Sequence, residues 1–256
     1  MLRKNQFICR INEQSENINQ ERGDCMVIAG LQKMTLLDFP NHVACTVFLQ
    51  GCNFRCPFCQ NKDLVIGDQN LEAITNEKFF EFLKKRKGFI DGVCVTGGEP
   101  LIHKDIEKFL RQIKDLGLQV KLDTNGYFPE TLKDLVDKGL VDYVAMDIKN
   151  SLEKYPVTTG LNLINVNLIK DSVEFLINGN IDYEFRTTIV KEFHKKSDFI
   201  GISSLIKGTK RYFLQGFQES PTCIKQGLQA YTKEELEEFV NILKSNDIQA
   251  EIRGVE

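Results

Sequence analysis

The chain has 256 residues, of which 42% are hydrophobic and 27% charged, an ordinary composition for a globular protein with a sizeable core. Its formal net charge of −3 gives no electrostatic reason to bind nucleic acid or an anionic membrane. No apolar run approaches the roughly 20 residues that a membrane-spanning helix requires, so we expect a soluble protein without a nucleic-acid or membrane partner.

The first 24 residues are rich in Asn, Gln and Glu and show little hydrophobic periodicity. We therefore expect residues 1–24 to be a flexible polar extension and residues 25–256 to form the folded domain. A mis-assigned start codon would explain this extension without any function, whereas a docking arm is the functional alternative. Because it lacks the apolar core of a secretory signal, we expect the protein to be cytoplasmic.

Beyond the extension, predicted strands and helices alternate along the chain. The strands are short apolar runs, and the helices carry an apolar stripe between recognisable caps. The predicted strands cover residues 44–49, 93–96, 120–123, 143–147, 183–190, 211–214 and 251–253. The predicted helices cover residues 75–87 and 197–207, begin near residue 105, at 129 and at 232, and include one that ends at Gly179.

This alternation indicates a parallel sheet with right-handed crossovers, either Rossmann-like or closed into a barrel. About six strand–helix units are too few for an eightfold barrel. We therefore predict an α/β fold, a partial (β/α)6 open TIM-like barrel with a short N-terminal extension. Ligands of such folds gather beyond the carboxyl ends of the strands.

The loop after the first predicted strand carries Cys52, Cys56 and Cys59 at a C-x3-C-x2-C spacing. A 4Fe–4S cluster is usually held by four cysteines, so three local ligands would leave one iron open to a substrate or cofactor. A structural zinc site, which needs a fourth ligand, and unligated buried thiols are the alternatives. The other cysteines show no pairing pattern and are predicted to be free thiols: Cys9, Cys25, Cys45, Cys94 and Cys223.

Residues 96–100, Thr-Gly-Gly-Glu-Pro, follow the second predicted strand. Gly97 and Gly98 allow the backbone to approach a ligand closely, and their amides can bind a carboxylate or phosphate. Glu99 adds a negative charge that suits an ammonium group. An ordinary strand-to-helix turn is the alternative, but the cysteine loop upstream favours a binding site.

Charged residues also mark the ends of the next strands. Asp123 ends the third strand, and two-residue alternation places Asp147 and Lys149 on one side of the fourth. Together these groups can hold a zwitterionic cofactor and its ribose, and Arg186 on the fifth strand can join them. Solvated strand ends, or a salt-bridged arginine inside the barrel, are the alternatives.

The cysteine spacing, with an aromatic residue before the last cysteine, resembles the signature of the radical S-adenosylmethionine (SAM) superfamily. That resemblance implies the (β/α)6 fold, a 4Fe–4S cluster on Cys52, Cys56 and Cys59, and SAM chelated to the open iron. Reductive cleavage of SAM would give a 5′-deoxyadenosyl radical, so no side chain is expected to act as an acid–base or nucleophilic catalyst. The candidate cofactor-binding residues are Phe58, Gly97, Gly98, Glu99, Asp123, Asp147, Lys149 and Arg186.

Four motifs in this order resemble the glycyl-radical-enzyme activating enzymes: the cysteine loop and residues 96–100, 122–126 and 146–149. Three further stretches are most similar to the branch that activates anaerobic ribonucleoside-triphosphate reductase: residues 30–33, 37–40 and 250–254. Two features of this sequence differ from other branches of the activating enzymes. No ferredoxin-like insert separates the cysteine loop from Gly97, and residues 213–217 lack the histidine of the pyruvate formate-lyase branch.

The resemblance implies a glycyl-radical enzyme as protein substrate and a flavodoxin or ferredoxin as electron donor. Some relatives also place a monovalent cation beside the two aspartates. We expect residues 149–163 to wall the open mouth of the barrel, with the turn at 158–160 near the partner's loop. The alternatives are a radical SAM enzyme for a purine-like or pterin-like molecule, a pyruvate formate-lyase-type activase and, most remotely, a zinc-binding interaction module.

Overall fold

The computed structural model describes residues 26–67 and 72–255, so the predicted extension of residues 1–24 and the predicted free thiols of Cys9 and Cys25 lie outside the described residues. A single sheet of eight strands organises the described part of the chain. The strands are β1 (Ile28–Thr35), β2 (Ala44–Leu49), β3 (Gly92–Gly97), β4 (Gln119–Thr124), β5 (Tyr143–Asp147), β6 (Asp182–Ile189), β7 (Tyr212–Gly216) and β8 (Ala250–Arg253).

Helices connect or flank these strands, and several begin where the sequence predicts. Thr75 caps α2, Pro129 opens α4, and Thr232 with Glu235 forms the predicted capping box of α8. The described helices are α1 (Lys62–Ile66), α2 (Asn76–Lys85), α3 (Ile106–Asp115), α4 (Pro129–Asp137), α5 (Tyr155–Thr159), α6 (Val166–Asn178), α7 (Asp198–Leu205) and α8 (Lys233–Lys244). Among them, none is long and apolar enough to cross a bilayer.

The strand order of the sheet follows the chain order from β1 to β8. Strands β2 to β8 run parallel, whereas β1 pairs antiparallel with β2. A cavity of about 170 Å³ is lined jointly by Asp38 before β2, Lys121 on β4 and Arg253 on β8. In a flat sheet, β4 and β8 would lie about 19 Å apart, since each strand adds about 4.8 Å. The sheet therefore curls around an interior, and the predicted partial open barrel is confirmed.

The two faces of the sheet differ in polarity. On β4, the fully buried Val120 and Leu122 belong to the apolar core, while Lys121 and Asp123 point into the barrel. Arg253 and Glu184 also form an ion pair in the interior, with Arg253 Nη1 3.1 Å from Glu184 Oε1. The interior consequently carries many charged side chains, of which Lys121, Glu184 and Arg253 were not predicted.

A few local features differ from the prediction. The short helices α1 and α5 were not predicted, since five residues show no clear periodicity. Helix α2 ends at Lys85 rather than residue 87, because the chain turns at Arg86, whose carbonyl accepts a hydrogen bond from Phe89 N at 2.9 Å. Both differences lie outside the predicted strand ends and leave the positions of the site residues unchanged.

Candidate functional site

The three cysteines lie in the loop that leaves the carboxyl end of β2. Cys56 is buried with 7% exposure, Cys52 and Cys59 are half-buried, and all three thiols are free. Cys59 N donates to Cys56 O at 2.9 Å, which closes a tight turn between these two ligands. Arg55 Nη1 donates to Cys52 O at 2.5 Å, so this side chain folds back onto its own loop.

Residues 218–228, which lie far along the chain, form backbone hydrogen bonds with the cysteine loop. We call this segment the strap. Ile224 N donates to Cys59 O at 3.1 Å, and Lys225 N donates to Pro57 O at 2.8 Å. Cys223 directly precedes these two contacts, is 1% exposed, and lies close enough to Cys59 for the two thiols to influence each other. It is free, as predicted, but the sequence analysis missed its position, because no motif links residues more than 150 positions apart.

Helix α5 contacts the same loop from another side. Arg55 N donates to Thr159 O at 2.8 Å. Gly160 has φ of +69°, and a Cβ at that position would overlap the carbonyl oxygen of Arg55. The segment 149–163, predicted to wall the mouth, therefore packs directly against the cysteine loop through its turn at 158–160.

The glycines after β3 allow a close backbone approach. Gly98 N donates to Leu49 O at 2.9 Å, and a Cβ on Gly98 would overlap the oxygen of Gly51. On Gly97, whose φ is +130°, a Cβ would overlap the backbone of Leu49. In the structure these glycines approach the end of β2 and the start of the cysteine loop, which places the loop after β3 directly beside the cysteine loop.

Glu99 lies behind these glycines with no solvent exposure. Its carboxylate accepts hydrogen bonds from Leu101 N at 3.1 Å, Thr124 Oγ1 at 2.9 Å and Asn125 N at 2.6 Å. Burial raises the pKa of Glu99 to about 7 in spite of these bonds. Glu99 thus ties the loop after β3 to the end of β4. Asn125 Nδ2, which donates to Asn53 Oδ1 at 2.8 Å, extends that connection to the cysteine loop.

Five side chains from β4, β5 and β6 form an alternating series of charges, which we call the charged row: Lys121, Asp123, Arg186, Asp147 and Lys149. Lys121 Nζ pairs with Asp123, and Arg186 Nη1 lies 3.3 Å from Asp123 Oδ2. Arg186 Nε donates to Asp147 Oδ1 at 3.0 Å, and Lys149 Nζ donates to Asp147 Oδ2 at 2.9 Å. The structure thus brings together the four predicted residues and adds Lys121.

The charged row stays ionised in spite of its burial. Burial opposes ionisation of Asp147, yet Lys149 and Arg186 lower its pKa to about 2. Burial likewise disfavours the ammonium of Lys149, but Asp147 and the neighbouring thiols raise the pKa of this group. Three cations against two carboxylates give the row one net positive charge. It therefore suits a ligand that carries a carboxylate.

Burial is also the main influence on the ligand thiols. It raises the pKa of Cys52 to about 12 and that of Cys56 to about 11, while the ammonium of Lys149 works in the opposite direction. Because the thiolate is the form that binds metal, these thiols must lose their protons when iron binds. Nearby positive charge from Lys149 favours that loss.

A buried hydrogen-bond network fixes the backbone at Lys149. His194 Nδ1 accepts from Val190 N at 3.1 Å, so its Nε2 carries the proton and donates to Lys149 O at 2.8 Å. Lys149 N donates to the hydroxyl of Tyr155 at 3.1 Å. Phe58, one of the predicted cofactor-binding residues, packs against this network, with its ring centroid 6.1 Å from that of His194.

These residues fit an iron–sulfur cluster with a bound cofactor. The donor set is three free thiols on one loop, and the buried Asn53 Nδ2 beside them has no hydrogen-bond partner among the described residues. Over the same part of the chain, no three His, Cys, Asp or Glu side chains form a group ready to hold a single metal ion. The charged row supplies the positive surface that a cofactor carboxylate requires.

Comparison with known proteins agrees with this geometry. Residues 46–210 match the Radical SAM superfamily. A protein of Methanocaldococcus jannaschii, provisionally named a glycyl-radical enzyme activating enzyme, is 30% identical over 199 residues, which cover 75% of this chain and 80% of that protein. The 7-carboxy-7-deazaguanine synthase of Thermoplasma acidophilum is 26% identical over 58% of this chain and 68% of that protein. The solved structure of a radical SAM methyltransferase from Sphaerobacter thermophilus shares the fold with a TM-score of 0.66 at 16% identity, over 84% of this chain and 67% of that one.

Proposed function

The chain belongs to the radical SAM superfamily and to its group of glycyl-radical-enzyme activating enzymes, and we propose that its partner is an anaerobic ribonucleoside-triphosphate reductase. When bound, the cluster and SAM supply a 5′-deoxyadenosyl radical, which takes a hydrogen from the α-carbon of a partner glycine. The observation that carries the proposal is the placement of three free thiols directly beside the charged row. The protein's own task is to bind, orient and exclude water.

Cys52, Cys56 and Cys59 would hold the cluster. Their loop is fixed on one side by the strap and on the other by α5, so the thiols are positioned before iron arrives. Fixed ligands reduce the conformational entropy that cluster binding must overcome.

The charged row would receive the methionine end of SAM. Its net positive charge suits the carboxylate, with Arg186 and Lys149 as donors, and the charge of Lys149 acts on all three ligand thiols. The loop of Gly97, Gly98 and Glu99 would face the amino group. Phe58, held against Phe193 with ring centroids 5.7 Å apart, would support the adenine.

A monovalent cation beside Asp123 and Asp147 is part of the same proposal. Both carboxylates are paired in the structure with Lys121, Arg186 and Lys149. A cation would therefore have to displace one of these side chains, so its binding depends on a rearrangement when SAM binds.

The partner's glycine loop would enter beside α5. Val157 and Leu163, 59% and 90% exposed, flank the turn at 158–160 that packs on the cysteine loop. Exposed apolar side chains next to a reaction centre suit a protein substrate. The choice of ribonucleotide reductase depends on residues 30–33, 37–40 and 250–254, which lie on or beside β1 and β8.

We also propose an electron donor and a cellular location for the protein. A flavodoxin or ferredoxin would supply the electron, and a cytoplasmic location would keep the thiols reduced. The net charge of −3 supports the absence of a nucleic-acid or membrane partner.

Electron paramagnetic resonance of anaerobic mixtures tests the proposal. We expect the reconstituted protein, SAM and a reductant to produce a carbon-centred glycyl radical on anaerobic ribonucleotide reductase. A radical on pyruvate formate-lyase instead would assign the chain to that kind of activase. If neither partner acquires the signal, the assignment to anaerobic ribonucleotide reductase is wrong.

A small-molecule radical SAM enzyme is the second candidate, and the similarity to a 7-carboxy-7-deazaguanine synthase favours it. Such an enzyme would consume a purine-like or pterin-like compound without any partner protein.

A further inference from the structure

The residue after the first ligand cysteine carries a buried hydrogen-bond donor that is not used by the protein. Asn53 Nδ2 is shielded from solvent and has no hydrogen-bond partner in the described part of the chain. Oδ1 of the same amide lies 3.9 Å from Cys52 Sγ, so this side chain stands beside a ligand sulfur. Because an unpaired buried N–H group is costly, its presence here indicates a partner outside the polypeptide.

The orientation of this amide follows from a backbone donor. Tyr127 N can only donate, and it donates to Asn125 Oδ1 at 3.0 Å. Asn125 therefore turns its Nδ2 towards the cysteine loop, where it donates to Asn53 Oδ1 at 2.8 Å. That bond leaves the NH2 group of Asn53 as the free end of the series. Exchanging oxygen and nitrogen on either side chain would place two donors against each other, so the orientation is fixed.

Asn125 is itself held in place by the loop after β3. It is 5% exposed, and its backbone N donates to Glu99 Oε2 at 2.6 Å. Its Nδ2 also lies 4.0 Å from Cys52 Sγ, and Phe54 N donates to the same sulfur at 3.3 Å. The surroundings of this sulfur are consequently rich in N–H donors, which suits a thiolate that binds iron.

We propose that Asn53 Nδ2 donates a hydrogen bond to a sulfur atom of the 4Fe–4S cluster, and that Asn125 is the positioning residue that orients this donor. The inference rests on the proposed function, in which Cys52 and the two other cysteines hold the cluster. Sulfides and thiolates of a cluster carry negative charge, which grows when the cluster gains an electron. A fixed N–H donor would therefore stabilise the reduced cluster more than the oxidised one and raise its reduction potential.

The carboxylate of SAM is the other acceptor that this amide could serve. The charged row already offers Lys149 and Arg186 for that carboxylate. Asn53, in contrast, directly follows a ligand cysteine and lies beside its sulfur. The cluster is thus the favoured acceptor, and measurements with and without SAM distinguish the two.

The test is a titration of the reconstituted protein with dithionite and redox mediators, followed by electron paramagnetic resonance of the reduced cluster. Asn53→Ala removes the donor. Asn125→Ala keeps the donor and the backbone bond to Glu99, but removes the side chain that orients Asn53. Asn61→Ala is the matched control, because Asn61 is an exposed asparagine just after the same loop and its side chain forms no cap bond to α1.

Without SAM, we expect Asn53→Ala to lower the midpoint potential by about 59 mV, which corresponds to a tenfold smaller equilibrium constant for one-electron reduction. Asn125→Ala should lower it less. The double variant should equal Asn53→Ala, because Asn125 acts through Asn53. Asn61→Ala should match the wild type.

An unchanged potential in Asn53→Ala would overturn the inference. A shift that appears only with SAM would also overturn it, since Asn53 would then bind SAM rather than the cluster. Additive shifts in the double variant would show that Asn125 acts directly on Cys52 and is not a positioning residue for Asn53.

Two further outcomes are separate from these. If Asn53→Ala retains no cluster, Asn125→Ala decides, since it leaves every side chain of the cysteine loop in place, and an unchanged potential there overturns the inference. A wild type that holds the cluster but generates no glycyl radical on anaerobic ribonucleotide reductase would refute the proposed function. In that case the potentials of the variants still test Asn53.

Discussion

At the scale of single residues, the site depends on which thiols can reach iron. Cys223 is the residue that bears most directly on this question, because the strap holds it beside the loop of Cys52, Cys56 and Cys59. Three cysteine ligands leave one iron of the cluster with a free position for SAM, whereas a fourth thiolate would occupy that position. We propose that Cys223 does not bind the cluster.

Replacing the cysteines one at a time tests that assignment. We expect Cys52→Ala, Cys56→Ala and Cys59→Ala each to lose the cluster, because two thiolates do not hold it stably. Cys223→Ala should keep it. Iron and sulfide content after anaerobic reconstitution, with the visible absorption of the cluster, is the measurement. Loss of iron in Cys223→Ala, with the fold retained by circular dichroism, would contradict the assignment.

His194 gives a prediction about pH and stability. Burial lowers its pKa to about 4, whereas the unfolded chain binds the proton near pH 6.5. The stability that the neutral ring contributes is therefore present above pH 6.5 and is lost as the pH falls towards 4. Over the full window the loss is about 3 kcal/mol.

Urea unfolding of the apo-protein at pH 7 and pH 5 measures this effect. We expect the wild type to lose about 2 kcal/mol of unfolding free energy that His194→Gln does not lose. His42→Gln is the matched control, because it removes a partly exposed histidine that lies outside the buried network of His194. Equal losses in the wild type and His194→Gln would show that the ring is not held neutral.

At the scale of elements, the carboxyl ends of β2 to β6 converge because parallel strands present those ends on one edge. Two-residue alternation then decides which side chains face the interior. The same rule reveals Lys121, since Val-Lys-Leu-Asp on β4 alternates between apolar and charged residues. That alternation was the available signal for a charged interior.

The contact between the loop after β3 and the cysteine loop can be tested with Gly98→Ala. The added Cβ would overlap the carbonyl oxygen of Gly51, and a backbone atom cannot move aside as a flexible side chain can. We expect a loss of stability of about 2–3 kcal/mol and weaker cluster retention. Gly30→Ala on β1 is the control, since its Cβ would meet Phe48 at an ordinary 3.5 Å. Similar unfolding curves for both variants would contradict the close approach.

Val157→Asp/Leu163→Asp tests the surface beside α5. Charged side chains should oppose an apolar contact with the glycyl-radical enzyme, so radical formation on the partner should fall at least about tenfold. Uncoupled SAM cleavage should be unchanged. Ile200→Asp, at a similarly exposed position on α7, is the control. Equal loss of both activities in the double variant would remove the partner role of this segment.

At the scale of the whole molecule, local patterns predict the fold well. The strand–helix alternation, the capping box at Thr232 and the cysteine spacing each depend on residues close together in the sequence. The strap could not be predicted, because it joins residues about 160 positions apart through backbone hydrogen bonds that carry no sequence signature. For the same reason, the pairing of Asp123 with Arg186, which lies 63 positions away on β6, became known only from the structure.

The most direct test of the account is electron–nuclear double resonance on the reduced holoenzyme with SAM labelled at its amino nitrogen and carboxylate. We expect hyperfine coupling of both labels to the cluster, because in the proposed function SAM would chelate the iron that Cys52, Cys56 and Cys59 leave open. A cluster that shows no coupling to SAM, with a fourth thiolate from Cys223 on the remaining iron, would contradict it.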